Sequence, residues 1–147
     1  MSAETLKTLS VPGLSANEVE LLARAALAVF PNAYAPYSNF SVAAAILADP
    51  DHISTGVNVE NASFPLGSCA ERSAIGTAIT AGHRTFRAIL IVTGSDRLVA
   101  PCGACRQLLA EFASDLPIIL TNLAGDARVG TLADLLPDRF GPEDLNH

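Results

Sequence analysis

A chain of 147 residues, half of them hydrophobic, is the size of one ordinary domain, large enough to bury roughly 70 % of its unfolded surface. Nine Lys and Arg against fifteen Asp and Glu give a formal net charge of −6, with Lys7 the sole lysine, a balance poorly matched to a nucleic-acid backbone. No apolar run approaches the ~20 residues of a membrane span, and the first fourteen residues lack the basic start and apolar core of a secretory signal. An odd count of three cysteines argues against disulfides and for a reducing compartment. The expectation is a cytoplasmic protein with neither nucleic acid nor membrane as partner. Residues 1–14 would form a flexible arm and residues 15–147 a single domain.

Ser15 followed by Glu18 predicts a capping box, and Val19, Leu22, Ala26 and Val29 recur at helical spacing. Residues 16–30 therefore read as an amphipathic helix that stops at Pro31. Tyr34 to Asn39 is loop chemistry, residues 40–47 are apolar and strand-like, Asp49-Pro50-Asp51 turns the chain, and residues 53–59 read as the hairpin partner. Residues 70–81 form a short helix closed by Gly82. Residues 88–93 are a continuous apolar strand of the kind buried on both faces, 103–112 a second helix, and 117–120 another buried strand. Val129 belongs to a last strand before a helical turn from Leu132 to Leu136. This order predicts a three-layer α/β/α sandwich, with helices on both faces of a mixed central sheet of about five strands.

All three cysteines fall in two short phrases, Cys69-Ala70-Glu71 and Pro101-Cys102-Gly103-Ala104-Cys105, each where a helix begins. Helix N-termini favour thiolate over thiol, and Cys102 and Cys105, three apart, share a face of the first turn. Three thiolates make a zinc site with one position left for water, which is a catalytic pattern. A structural site would need a fourth ligand, and none of His52, His83 and His147 sits at ligand spacing. The same phrases also admit structural zinc or thiol redox chemistry. Glu71, two residues from a ligand, is placed to shuttle protons, its alternative being a first-turn glutamate that suits the helix dipole. Arg72 is expected to donate to the sulfurs and offset their negative charge, and Arg106 is left open between that role and an ordinary surface residue.

The pair Cys69-x-Glu71…Pro101-Cys102-x-x-Cys105 follows the zinc-deaminase signature. With residues 35–40 (Ala-Pro-Tyr-Ser-Asn-Phe), 58–63 (Asn-Val-Glu-Asn-Ala-Ser), Arg72 to Ile75, Arg106-Gln107, Leu135-Leu136-Pro137 and the closing 140–145, the chain closely resembles the small homotetrameric cytidine deaminases over residues 15–145. The resemblance implies one zinc ion held by Cys69, Cys102 and Cys105, with Glu71 as proton shuttle. It implies that Asn58 and Glu60 bind ribose hydroxyls, that the backbone at Ala70 reads the base, and that Phe40 packs on it. It implies that a neighbouring subunit completes each site through the loop near Ala62 and Phe64 and through Phe140. The substrate would be a small nucleoside, cytidine or 2′-deoxycytidine, deaminated to uridine or deoxyuridine in pyrimidine salvage.

Each role has a plainer alternative: Phe40, Phe64 and Phe140 as core of their own chain, Asn58 and Glu60 as an ordinary turn. Many members of that family have glycine at Ala43, where the added methyl would tighten packing near the pocket, and tyrosine at Phe64, whose hydroxyl is absent here. A blasticidin-type deaminase, a polynucleotide-editing deaminase and a zinc-stabilised binding module are the competing readings. Residues 58–61 disfavour the first, acidity the second, and the lack of a fourth protein ligand the third.

Overall fold

The computed structural model describes residues 1–145. The first long helix is set by its cap: Ser15 Oγ accepts the Glu18 N–H at 3.2 Å and Glu18 Oε2 accepts the Ser15 N–H at 2.8 Å, which starts α1 (Ala16–Val29). Pro31 then ends it in a 3-10 turn, Phe30–Asn32. Glu18 also reaches Arg87 Nη1 at 2.6 Å, tying the helix start to the central sheet.

β1 (Val42–Ala48) and β2 (His52–Val57) form the expected antiparallel hairpin. β1 pairs antiparallel on its other edge with β3 (Phe86–Thr93), β3 runs parallel to β4 (Pro117–Asn122), and β5 (Ala127–Thr131) adds antiparallel to β4. The order is β2-β1-β3-β4-β5. Its single parallel pair needs a crossover, which α3 (Gly103–Phe112) supplies. α2 (Ala70–Thr80) follows the hairpin, and Gly82 closes it with a positive φ of 96°, a backbone geometry that glycine adopts freely. A last helical turn, α4 (Leu132–Leu135), follows β5.

Strand alternation sorts the core into two layers. Ala43, Ala45, Leu47, Leu90 and Val92 face α1, where they meet Val19, Leu22, Ala23 and Ala26. Ala44, Ile46, Ile89, Ile91, Ile118 and Leu120 face α2 and α3, against Ala74, Ala78 and Leu109. The expected α/β/α sandwich with a mixed five-stranded sheet is the architecture found. Several boundaries differ: β1 starts at Val42 rather than at residue 40, and β4 runs on to Asn122 rather than stopping at residue 120. β3 begins at Phe86, because the Ala48 pairing extends the ladder. Residues 58 and 59 leave β2, and Val59 bridges instead to Tyr34 and Ser68. Residues 1–14, expected as an arm, include a 3-10 turn at Ala3–Thr8, and Leu6 and Val11 are buried in the α1 layer.

One close approach governs where α2 sits. A Cβ at Gly56 of β2 would collide with backbone atoms of α2: the Ala74 nitrogen, the Ala70 oxygen at 2.5 Å and the Ser73 carbonyl carbon at 2.7 Å. The missing side chain lets the helix start lie directly on the hairpin.

Candidate metal centre and active site

Two helix starts converge. Cys69 is the N-cap of α2 and Cys102 the N-cap of α3, both with extended backbone, and neither thiol caps its own helix. Cys105, one turn into α3, is buried, whereas Cys69 and Cys102 reach the surface. All three are free thiols; their Sγ atoms lie within 4.8 Å of one another, with Cys69 and Cys102 3.8 Å apart. Three soft donors so close suit one tetrahedral zinc with a fourth position for a non-protein ligand. His52 and His83 stack on each other, ring centroids 4.1 Å apart. His147 lies outside the described residues. Among the described residues, the three cysteines are the one cluster of ligating side chains able to hold a metal ion.

The electrostatics fit a cation there. Burial pushes the Cys105 thiol up, and the Glu71 carboxylate and Cys69 thiol add to the shift. Burial likewise raises Cys69, with Cys102 as the next cause. For Cys102 burial opposes ionisation, but hydrogen bonds from the Cys105 amide and from the Cys105 and Cys69 thiols outweigh it and hold the thiol low. Three thiolates beside a buried carboxylate repel one another, and a divalent cation reverses that repulsion.

Glu71, second residue of α2, is 5 % exposed. Burial lifts its carboxyl above the usual glutamate range, against hydrogen bonds from its own amide and the Cys105 thiol. A carboxyl held this way binds a proton more readily than a solvated one. It lines a cavity of about 420 Å³ together with Cys69, Cys102, Ala70 and Phe40. Ser38, Asn58, Glu60 and Cys69 also border an adjoining groove of about 470 Å³ that runs past Tyr37 and Phe64. The larger groove touches neither Glu71 nor Cys102, so it is the smaller cavity that brings the carboxyl and two of the thiols together.

The structure brings Phe40, Asn58, Glu60 and Ala70 into that wall with Glu71. Phe40 is 38 % exposed and is not core. Asn58 uses its amide on the neighbouring loop: Oδ1 accepts the Val42 N–H at 2.9 Å and Nδ2 donates to the Phe40 carbonyl at 2.7 Å. Glu60 Oε1 accepts the Tyr37 and Ser38 N–H groups at 3.0 and 3.1 Å, and its carboxyl pKa is lowered first by the Ser38 hydroxyl and then by the Ser38 and Tyr37 amides. Arg72 is exposed and lines a small cleft with Cys69 and Cys105. Arg106, left open from sequence, instead donates to the Pro101 carbonyl at 2.8 Å and the Leu135 carbonyl at 2.9 Å, fixing the start of α3.

Ala62, Phe64 and Phe140 are exposed, the two rings at 77 % and 57 %, so neither ring is core of this chain. Ala43 faces the α1 layer, on the opposite side of the sheet from Glu71, so the expected effect of its methyl on the pocket is replaced by packing against α1. Sequence reasoning missed Thr93, which lines the cavity, and Gln107, which donates to the Phe140 carbonyl at 2.9 Å. A polar residue closing an otherwise apolar strand was the available signal for Thr93.

Three comparisons bear on this geometry. A family model described as the cytidine and deoxycytidylate deaminase zinc-binding region matches residues 16–120. The chain is 47 % identical over 116 residues to a cytidine deaminase of Sporosarcina psychrophila, covering 78 % of this chain and 85 % of that protein. A cytidine deaminase of Halalkalibacterium halodurans is 43 % identical over 128 residues, covering 86 % and 97 %. Among solved structures, a cytidine deaminase from Burkholderia pseudomallei superimposes with a TM-score of 0.78 at 48 % identity, over 82 % of this chain and 97 % of that one.

Proposed function

The chain belongs to the family of cytidine and deoxycytidylate deaminases built on this zinc-binding region, and from that premise we propose that it is a cytidine deaminase of pyrimidine salvage. It hydrolyses the bond between C4 and the exocyclic amine of cytidine and 2′-deoxycytidine, giving uridine or 2′-deoxyuridine and ammonia. The observation that carries the reading is a buried carboxyl, Glu71, sharing one cavity wall with Cys69 and Cys102 of a three-thiol cluster.

One zinc ion per chain, held by Cys69, Cys102 and Cys105, supplies Lewis acidity that makes water a nucleophile at neutral pH. Glu71 does the proton work. It accepts a proton as the water oxygen adds to C4 and delivers it to N3. It then carries the second water proton to the departing amine, which leaves as ammonia, and returns to its starting state. Its burial supports the assignment, because a carboxyl with raised proton affinity is a better carrier than a solvated one. Arg72, beside Cys69 and Cys105 in their cleft, offsets thiolate charge.

The Ala70 amide, in the first turn of α2 where N–H groups lack helical partners, reads the base. Phe40 packs on the ring, and Asn58 and Glu60, which share the cavity wall with it, bind the sugar hydroxyls. A homotetramer completes each site through Ala62, Phe64 and Phe140. Supporting that assembly, Tyr37, Phe64, Leu66, Phe140 and Leu145 expose large apolar surface, the groove itself running past Tyr37 and Phe64. No helix among the described residues is long and apolar enough to cross a membrane. A cytoplasmic setting is proposed from the three reduced thiols the site requires.

The test is ammonia release from cytidine by zinc-loaded protein, run beside Glu71→Gln. Release by the wild type, with a variant that keeps one zinc per chain and turns over nothing, supports the assignment. Zinc-loaded wild type that releases no ammonia overturns it.

A further inference from the structure

Thr93 ends β3 on the face that looks toward α2 and α3. Strand alternation puts it on the same side as Ile91, and the ladder sets it beside Val42 of β1 and Asn122 of β4. It is 2 % exposed and lines the cavity that holds Glu71, Ala70 and Phe40, yet its Oγ1 has no hydrogen-bond partner among the described residues. Other buried hydroxyls are satisfied: Thr121 donates to the Asp126 carbonyl at 2.9 Å, and Ser54 pairs with His52 at 3.2 Å. Valine would fill the same volume without an unpaired hydroxyl. A buried polar group without a protein partner, in the wall of a ligand cavity, calls for an explanation, and a ligand is the one this position offers.

We infer that the Thr93 hydroxyl hydrogen-bonds the polar edge of the bound pyrimidine and is a specificity residue of this site. The inference rests on the reading that the cavity takes a cytosine nucleoside. The same cavity wall includes Val42, Ile91, Val99 and Ala100, whose side chains cannot hydrogen-bond, so the Thr93 hydroxyl adds to the partners that Glu71 and the Ala70 amide offer the ring. Deamination turns a donor at C4 into an acceptor and an acceptor at N3 into a donor. A hydroxyl, which rotates to donate or accept, suits the edge before and after that change.

The experiment compares Thr93→Val and Thr93→Ser with wild type in zinc-loaded protein. It measures cytidine kinetics, uridine binding by calorimetry, and the Tm without ligand. For Thr93→Val the expected result is a rise of about tenfold in KM and in the uridine Kd, the size of one hydrogen bond between buried groups. Zinc content stays at one per chain and the ligand-free Tm is equal or higher, while Thr93→Ser retains most of the affinity. If Thr93→Val does not fold, Thr93→Ala takes its place. Unchanged KM and uridine affinity, with a wild type that deaminates cytidine, overturns the inference. So does a lower ligand-free Tm without a loss of affinity, which would mark a structural hydroxyl. Wild type that neither deaminates cytidine nor binds uridine overturns the nucleoside reading and this inference with it.

Discussion

Gly56→Ala adds one methyl to the molecule, and the structure says where it goes. The new carbon falls on backbone atoms of α2, with the Ala70 oxygen at 2.5 Å and the Ser73 carbonyl carbon at 2.7 Å. No side-chain rotation relieves a clash with backbone, so hairpin and helix must part by roughly 1 Å to regain ordinary contact. Overpacking of this kind costs about 3 kcal/mol, which in a domain of this size lowers Tm by roughly 6–12 °C. Because Cys69, Ala70 and Glu71 ride on the displaced helix start, kcat/KM for cytidine and zinc retention fall too. Gly76→Ala is the internal control. It lies in the same helix with nothing within 4 Å of the added carbon, so it exchanges glycine for a better helix former and raises Tm by roughly 2–4 °C. Thermal unfolding of both variants, with metal content and turnover, decides the matter. If Gly56→Ala melts with the wild type and keeps full activity, the close approach of β2 to α2 does not hold the site in place.

Asn58→Ala strands the Val42 N–H and the Phe40 carbonyl and is expected to cost about 2 kcal/mol in chemical denaturation, with a raised KM for cytidine because the Phe40 loop loosens. Chelation of the metal, or Cys102→Ala, is expected to abolish turnover and lower stability by at least about 4 kcal/mol for a site loaded at a thousand times its Kd, measured by calorimetry and metal analysis. The Glu18 carboxyl is held below the usual glutamate value first by Arg87 and then by the Ser15 amide. The stability it gives is therefore present above pH 4.5 and is lost as pH falls through the lower folded pKa. Glu18→Gln is expected to flatten that acid limb of a Tm-against-pH profile and to leave the profile above neutrality parallel to wild type.

What could be read from the chain was whatever lay within one or two helical turns. The Ser15 capping box, the helix starts at Ala70 and Gly103 and the cysteine phrases are local patterns whose physics needs no partner segment, and each is found where expected. Missed features depend on contacts between distant segments. Asn58 grips backbone 16 and 18 residues away, and Gly56 matters only because α2 lands on it. Arg106 looked like a candidate donor to sulfur because of its neighbour in sequence, but its guanidinium reaches a carbonyl 29 residues on. Thr93 could not be distinguished from a strand-ending threonine until the cavity formed around it.

Strand β1, second in the sheet, carries three consecutive alanines, Ala43 to Ala45, all fully buried, two of them facing α1 and one facing α2. With so little side-chain volume between the helical layers, neither face has slack to absorb a larger residue. In a library of random variants selected for growth on cytidine as pyrimidine source, intolerant positions would therefore not gather only around the thiols. They would form a second band across β1 and the Ala23 and Ala26 ridge of α1, touching neither metal nor nucleoside. A survey of survivors would outline the thickness of the molecule as clearly as its catalytic chemistry.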